Sequence, residues 1–313
     1  MKQIISAAFA FLILMTACRL AADLPPASTP DAEITPSPVP PEAQPRVEST
    51  EPILDIRYSD EPASRGELLS LDIYPLTGNN HPVLIFVHGG GWVRGDKSSV
   101  NAKPTAFNAR GFVFVSVNYR LIPEVDIVQQ MTDVARAVAW VKQNIHQYGG
   151  DASRLFLMGH SAGAHLVSLL GTDESYLRTE GLGLADLAGI VSLDTQAYDM
   201  FKLMSNLSPE QGEVYWKTFG DNPEFWKTMS PQWHTEADKN IPPFLIAYTG
   251  EKQSRVFFSE QFVKTLREAG VSSELLPAPE KTHGEINREF GESSDRISQI
   301  VFEWLEKLLH RPD

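Results

Sequence analysis

From Ile53 onward, hydrophobic positions follow two alternating rhythms. Ile53–Tyr58 and Leu68–Tyr74 alternate apolar with polar residues, which predicts strands covered on one face, near a sheet edge. Pro82–Val87 and Gly111–Val117 are continuous apolar runs, the pattern of parallel strands buried on both faces. Arg154–Met158, Gly189–Leu193, Pro243–Tyr248 and Ser273–Pro277 are further strand candidates. Between them the spacing lengthens to three and four. Ile127, Met131, Val134, Val138, Val141 and Ile145 share one stripe, with Gly149-Gly150 as the stop signal. Ile297, Ile300, Val301, Trp304, Leu305 and Leu308 repeat that spacing near the C-terminus. Strand and helix in alternation predict an α/β fold, a mostly parallel sheet with helices on both faces. Residues 195–241 break the alternation and read as a small helical insertion. Ser208-Pro209-Glu210-Gln211 carries the signature of an N-cap, a first-turn proline and a capping-box glutamine. Large aromatics crowd the insertion, among them Tyr198, Tyr215, Trp216, Phe219 and Trp226. They either seal it onto the body or line a substrate wall.

Of 313 residues, 42% are hydrophobic and 10% aromatic, so a large core is available and global disorder is excluded. A net charge of -13 disfavours nucleic-acid binding, which needs basic patches. The lone cysteine, Cys18, excludes an intrachain disulfide and a cysteine-based zinc site.

The N-terminus changes the picture of where the domain sits. Lys2 precedes an apolar run, Ile4 to Met15, broken only by Ser6 and too short to span a bilayer comfortably. Met15-Thr16-Ala17-Cys18 resembles the lipobox of bacterial lipoproteins, with Met15 where leucine is usual. That likeness implies a signal peptide over 1–17, lipid on Cys18, and export to the bacterial cell envelope on a membrane anchor. Residues 23–52 hold 9 of the 22 prolines and cannot bury a core. Residues 18–52 are thus a linker, and its proline-rich part reaches about 90 Å when extended at about 3.1 Å per residue. Residues 53–313 are left as the folded domain.

Two motifs carry chemistry. Gly159-His160-Ser161-Ala162-Gly163 lies between the apolar strand Arg154–Met158 and an apolar helical stretch, Ala164 to Leu170. A sharp turn there lifts Ser161 above the sheet as a nucleophile elbow, with the positive end of the helix behind it. His88-Gly89-Gly90-Gly91-Trp92 follows the strand Pro82–Val87. Its glycines let backbone N–H groups face a ligand, so Gly90 and Gly91, with the amide of Ala162, form a candidate oxyanion hole.

These motifs, with Val117-Asn118-Tyr119-Arg120-Leu121, Gly149-Gly150-Asp151, Met229-Ser230-Pro231 and the strand from Pro242, closely resemble α/β-hydrolase esterases over about residues 53–309. The branch is the hormone-sensitive-lipase-like, feruloyl-esterase-like and arylformamidase-like one. The resemblance implies a serine carboxylic ester hydrolase, working through an acyl-enzyme on small or aromatic acyl esters, without metal or organic cofactor. Cleavage of amides in the arylformamidase manner is an alternative, and so is a catalytically dead fold used as a surface binding module. The family's histidine position, after the last strand, falls on His283. The acid departs from the pattern. The usual G-x-x-D turn reads Gly250-Glu251-Lys252-Gln253, with glutamine in place of aspartate. Asp194, at the end of the preceding strand, keeps the order Ser, acid, His. Glu251 competes from the usual turn, and a triad lacking an acid is the third reading. Asp199 reads as a residue that pins the insertion.

Overall fold

The computed structural model describes residues 50–64 and 66–310. Cys18, the signal segment and most of the proline-rich linker lie outside the described residues. Eight strands form one sheet: β1 Ile53–Arg57, β2 Ser70–Tyr74, β3 His81–Val87, β4 Val113–Val117, β5 Gly150–His160, β6 Leu187–Leu193, β7 Phe244–Thr249 and β8 Ser273–Ala278. Their order is β1-β2-β4-β3-β5-β6-β7-β8. Only the β1–β2 and β2–β4 pairs are antiparallel; every other pair is parallel. The helices are α1 Lys103–Asn108, α2 Ile127–Asn144, α3 Ala162–Leu170, α4 Glu174–Thr179, α5 Met200–Met204, α6 Glu213–Phe219, α7 Pro223–Thr228, α8 Gln253–Glu268, α9 Glu285–Arg288 and α10 Arg296–Leu309.

The continuous apolar runs are explained by two cores. In β3, Val83, Ile85 and Val87 face a cluster with α2, α3 and α8. Leu84 and Phe86 face the other, with Phe107 of α1 and Ile297, Val301 and Trp304 of α10. Burying both faces removes any reason for polar alternation, so the strand reads as an unbroken hydrophobic run.

Two boundaries shift for local reasons. Leu68 and Leu69 belong to a 3₁₀ turn, Gly66–Leu69, rather than to β2. Gly111 adopts φ +77°, a left-handed turn, so β4 begins only at Val113. The stop after α2 falls where the glycines stand, Gly149 capping a short 3₁₀ extension with φ +83°. Arg120 donates to the fully buried Asp133 through Nε at 2.8 Å and Nη2 at 2.6 Å, fastening α2 to the end of β4.

The insertion contains α5, α6, α7 and a 3₁₀ turn at Pro231–His234. The expected helix start at Ser208 is a correction. Ser208 does accept from the Gln211 amide, through its carbonyl at 3.1 Å and its hydroxyl at 3.4 Å, but only one turn forms. Gly212, with φ -132° and ψ 39°, breaks it, and α6 starts at Glu213. A capping sequence nucleates a turn; the chain that follows decides whether it propagates.

Topology places the chemistry. After β3 the chain fills β4 on one side and β5 on the other, so loops leaving the C-terminal ends of β3 and β5 flank the same crevice. Val87 pairs with Gly159, and His160 pairs with Leu193. The glycine loop, the elbow and Asp194 therefore leave the sheet side by side.

Candidate active site

Ser161 is the hinge between β5 and α3, with φ 57° and ψ -116°. A non-glycine residue there is strained, and surrounding structure must hold it. Its amide donates to Leu193 O at 2.9 Å. Close packing of α3 on β3 does the rest: a Cβ added at Gly163 would stand 2.1 Å from Val87 O. Ala162 is the first residue of α3, where an amide has no partner within the helix.

The glycine loop lies against the serine, since a Cβ at Gly89 would stand 3.1 Å from that of Ser161. The Gly90 carbonyl accepts from Val93 and Arg94, closing the loop on itself. Among the described residues, the amides of Gly90 and Gly91 donate to no acceptor. They follow directly on Gly89, and with the first amide of α3 they are free donors on the two segments that adjoin Ser161.

His283 lies between β8 and α9. Its Nε2 is 3.0 Å from Ser161 Oγ, and its Nδ1 is 2.6 Å from Asp194 Oδ2. Because the carboxylate can only accept, Nδ1 carries the proton and Nε2 presents a lone pair to the serine hydroxyl. Asp194 is wholly buried, and the His283 side chain is 32% exposed, enough for a substrate to reach it.

Asp194 has five further tethers. Its amide donates to Ala247 O at 2.8 Å, and Oδ1 accepts the Thr249 amide at 2.7 Å. The Thr249 hydroxyl stands 3.1 Å from each carboxylate oxygen. Arg255 Nη1 is 3.2 Å from Oδ2. Burial works to raise the carboxyl's pKa, but His283, the Thr249 amide and Arg255 outweigh it and hold it below the ordinary carboxylate range.

Glu251 touches His283 without meeting its ring. Its Oε2 accepts the His283 backbone amide at 2.5 Å and stands 3.4 Å from Arg255 Nη1. His160 takes the other side, its Nε2 donating to His283 O at 2.8 Å. Burial, reinforced by His283 nearby, pushes the His160 imidazole down to about 3, so it stays neutral. Lys103 Nζ holds the following turn through Asn287 O at 2.6 Å. Gln253, where the family's aspartate is expected, is simply the first residue of α8.

Thr249, Arg255 and the clamping role of His160 were not singled out in the sequence. A polar residue ending β7 and an arginine in the first turn of α8 were the only signals. Asp199 caps α5 by accepting the Lys202 amide at 2.9 Å and takes the Trp233 indole N–H at 3.2 Å. The insertion's aromatics divide. Tyr215 and Phe219 meet the edge of Trp92 at 5.2 and 5.0 Å between ring centres, beside the glycine loop. Trp216 and Trp226 pack on each other and donate to Leu207 O and Gly220 O, binding the insertion together. Among the described residues, no three His, Cys, Asp or Glu side chains group as metal ligands, and no helix is long and apolar enough to cross a membrane.

Comparison with known proteins follows the same lines. The sequence pattern of the BD-FAE family matches residues 71–266. Esterase LipQ of Mycobacterium tuberculosis is 34% identical over 238 residues, 70% of this chain and 53% of that protein. The isoprenylcysteine alpha-carbonyl methylesterase ICME of Arabidopsis thaliana is 28% identical over 250 residues, 74% of this chain and 56% of that one. The chain thus spans about half the length of these curated relatives. Among solved structures, a truncated carbohydrate esterase from gut microbiota superposes with a TM-score of 0.70 at 17% identity, covering 84% of this chain and 98% of that one. The shared architecture is the α/β-hydrolase fold.

Asp194 gives a pH test of this geometry. A folded-state pKa below the unfolded value of about 3.9 contributes stability that is present above about pH 4 and lost as pH falls through the folded value. The difference in unfolding free energy between wild type and Asp194→Asn should shrink from pH 5 to pH 2 in urea titrations. A difference constant across that range would contradict the assigned contacts.

Proposed function

The chain belongs to the BD-FAE family, and from that premise we propose that it is a serine carboxylic ester hydrolase. One observation carries this reading: an unbroken line of hydrogen bonds from buried Asp194 through His283 to the strained Ser161. Nε2 of His283 takes the hydroxyl proton as Ser161 Oγ attacks the ester carbonyl. The carbonyl oxygen becomes an oxyanion in the space bracketed by the Gly90, Gly91 and Ala162 amides. Each such donor is worth about 3–4 kcal/mol where one has been removed from a hydrolase. The imidazolium then gives its proton to the leaving alkoxide, and an acyl group remains on Ser161. Water, deprotonated by the same nitrogen, repeats the sequence and frees the acid. Asp194 keeps the ring in the required tautomer and offsets its positive charge. Glu251 and His160 hold the His283 backbone, so they position the base without touching the substrate.

Small and aromatic acyl groups suit the wall that Val214, Tyr215 and Phe219 of α6 set beside the glycine loop. The isoprenylcysteine alpha-carbonyl methylesterase among the relatives is named for a methyl ester, which supports the ester class.

Hydrolysis of p-nitrophenyl acetate and butyrate tests the reading. Wild type should turn over both, and Ser161→Ala neither. Asp194→Asn should lower kcat by about a thousandfold or more, the scale at which loss of the orienting acid acts elsewhere. Glu251→Gln keeps an acceptor for the His283 amide and should cost far less. The reverse ranking in folded variants would overturn the assignment. Turnover of aryl formamides but of no ester would favour amide cleavage.

We also propose that lipid on Cys18 tethers this activity to a membrane, on the strength of the apolar run and the Met15-Thr16-Ala17-Cys18 sequence. Wild type should partition into the detergent phase and Cys18→Ser into the aqueous phase. Aqueous wild type with an unmodified cysteine would end the idea.

A further inference from the structure

Beside the catalytic crevice, a cavity of about 610 Å3 opens between the insertion and the start of α8. Its wall on the triad side is a hydrogen-bonded trio. Gln196, two residues beyond Asp194, accepts from Ser254 Oγ at 2.6 Å and donates to the Tyr215 hydroxyl at 3.1 Å. Ser254 adjoins Arg255, the partner of Asp194, and Tyr215 packs on Trp92 at the glycine loop. Every residue of that wall is therefore attached to a part of the site.

The lining is unusual in its charge. Lys202 and Lys252 contribute to it and no Asp or Glu does, although the chain carries 40 acidic against 27 basic residues. Among the described residues, neither lysine forms an ion pair. The Lys202 ammonium instead sits 4.5 Å from the centre of the Phe257 ring, which is 38% exposed. Leu203 and Phe258 give the cavity an apolar floor. Two cations without an ion pair, on a lining that also carries Leu203, Phe257 and Phe258, match a ligand with an apolar spacer and an anionic end.

We propose that this cavity is an accessory subsite for substrate esters whose end remote from the scissile bond carries a carboxylate. The proposal rests on the esterase reading and adds the substrate class. The overall field of a chain with net charge -13 repels anions, so any preference for one must come from a local cluster such as these lysines.

Matched substrates test it. On the acyl side, mono-p-nitrophenyl esters of glutarate, adipate and suberate are compared with their methyl-capped counterparts. On the alcohol side, the butyrate ester of 4-hydroxybenzoate is compared with that of methyl 4-hydroxybenzoate. In one arm the anionic ester should show a kcat/KM about tenfold higher at low salt, carried by KM and lost in 0.5 M NaCl, the scale of two partly screened charge pairs. The double variant Lys202→Met/Lys252→Met should abolish the advantage while hydrolysing the methyl-capped esters at the wild-type rate. No advantage in either arm, or one that survives in the double variant, overturns the subsite. Should wild type hydrolyse no ester, the esterase reading fails by itself, and calorimetry with suberate decides the subsite separately. Binding by wild type that weakens in the double variant supports it, and absence of binding overturns it.

Discussion

A carboxylate with no exposed surface lies at the centre of this molecule. Leaving Asp194 ionised in the interior is tolerable only because donors meet both of its oxygens: the Thr249 amide and hydroxyl, the Arg255 guanidinium and the His283 imidazole. Those donors come from the end of β7, the first turn of α8 and the loop after β8. Satisfying one buried charge therefore fixes three separate segments against the end of β6. Removing a single donor would leave the charge partly unpaired, and such losses are costly in protein interiors.

The same knot reaches the reacting atoms. Arg255 joins Asp194 to Glu251, Glu251 holds the His283 amide, and His160 holds the His283 carbonyl from within the elbow itself. The histidine loop is thus tied at its ring, its nitrogen and its oxygen. Ser161 on the opposite side is held by Leu193 O, one residue before Asp194. Ser161 follows β5 and Asp194 follows β6, but the bond from the Ser161 amide to Leu193 O ties the strained serine to the strand end that carries the buried charge.

How much of this was legible in the sequence depended on how local each signal was. Strands of the two-sided core announced themselves as apolar runs, and the α2 stripe as a helix, because burial repeats at the period of the element. Ser161 was readable from flanking glycines, whose small size the packing of α3 on β3 requires. Asp194 was readable only as one of three options, because Gln253 replaces the family's aspartate and nothing local says which neighbouring strand supplies the acid. The structure sets Asp194 on the ring and Glu251 on the backbone of His283. Thr249, Arg255 and the clamp by His160 were not legible, since their importance arises from partners 55, 61 and 123 positions away. The insertion misled in the ordinary way. Ser208 makes its cap, yet Gly212 stops the helix, and Trp216 of α6 and Trp226 of α7 prove to be mutual packing while Val214 and Tyr215 of α6 face the glycine loop.

The central claim is that the buried carboxylate makes Ser161 a nucleophile. Peptide mapping after reaction with a fluorophosphonate measures this without any choice of ester. The account predicts a single phosphonylated residue, Ser161, formed orders of magnitude more slowly in Asp194→Asn than in wild type although both proteins are folded. Equal labelling rates in the two proteins, or modification at any residue other than Ser161, would contradict it.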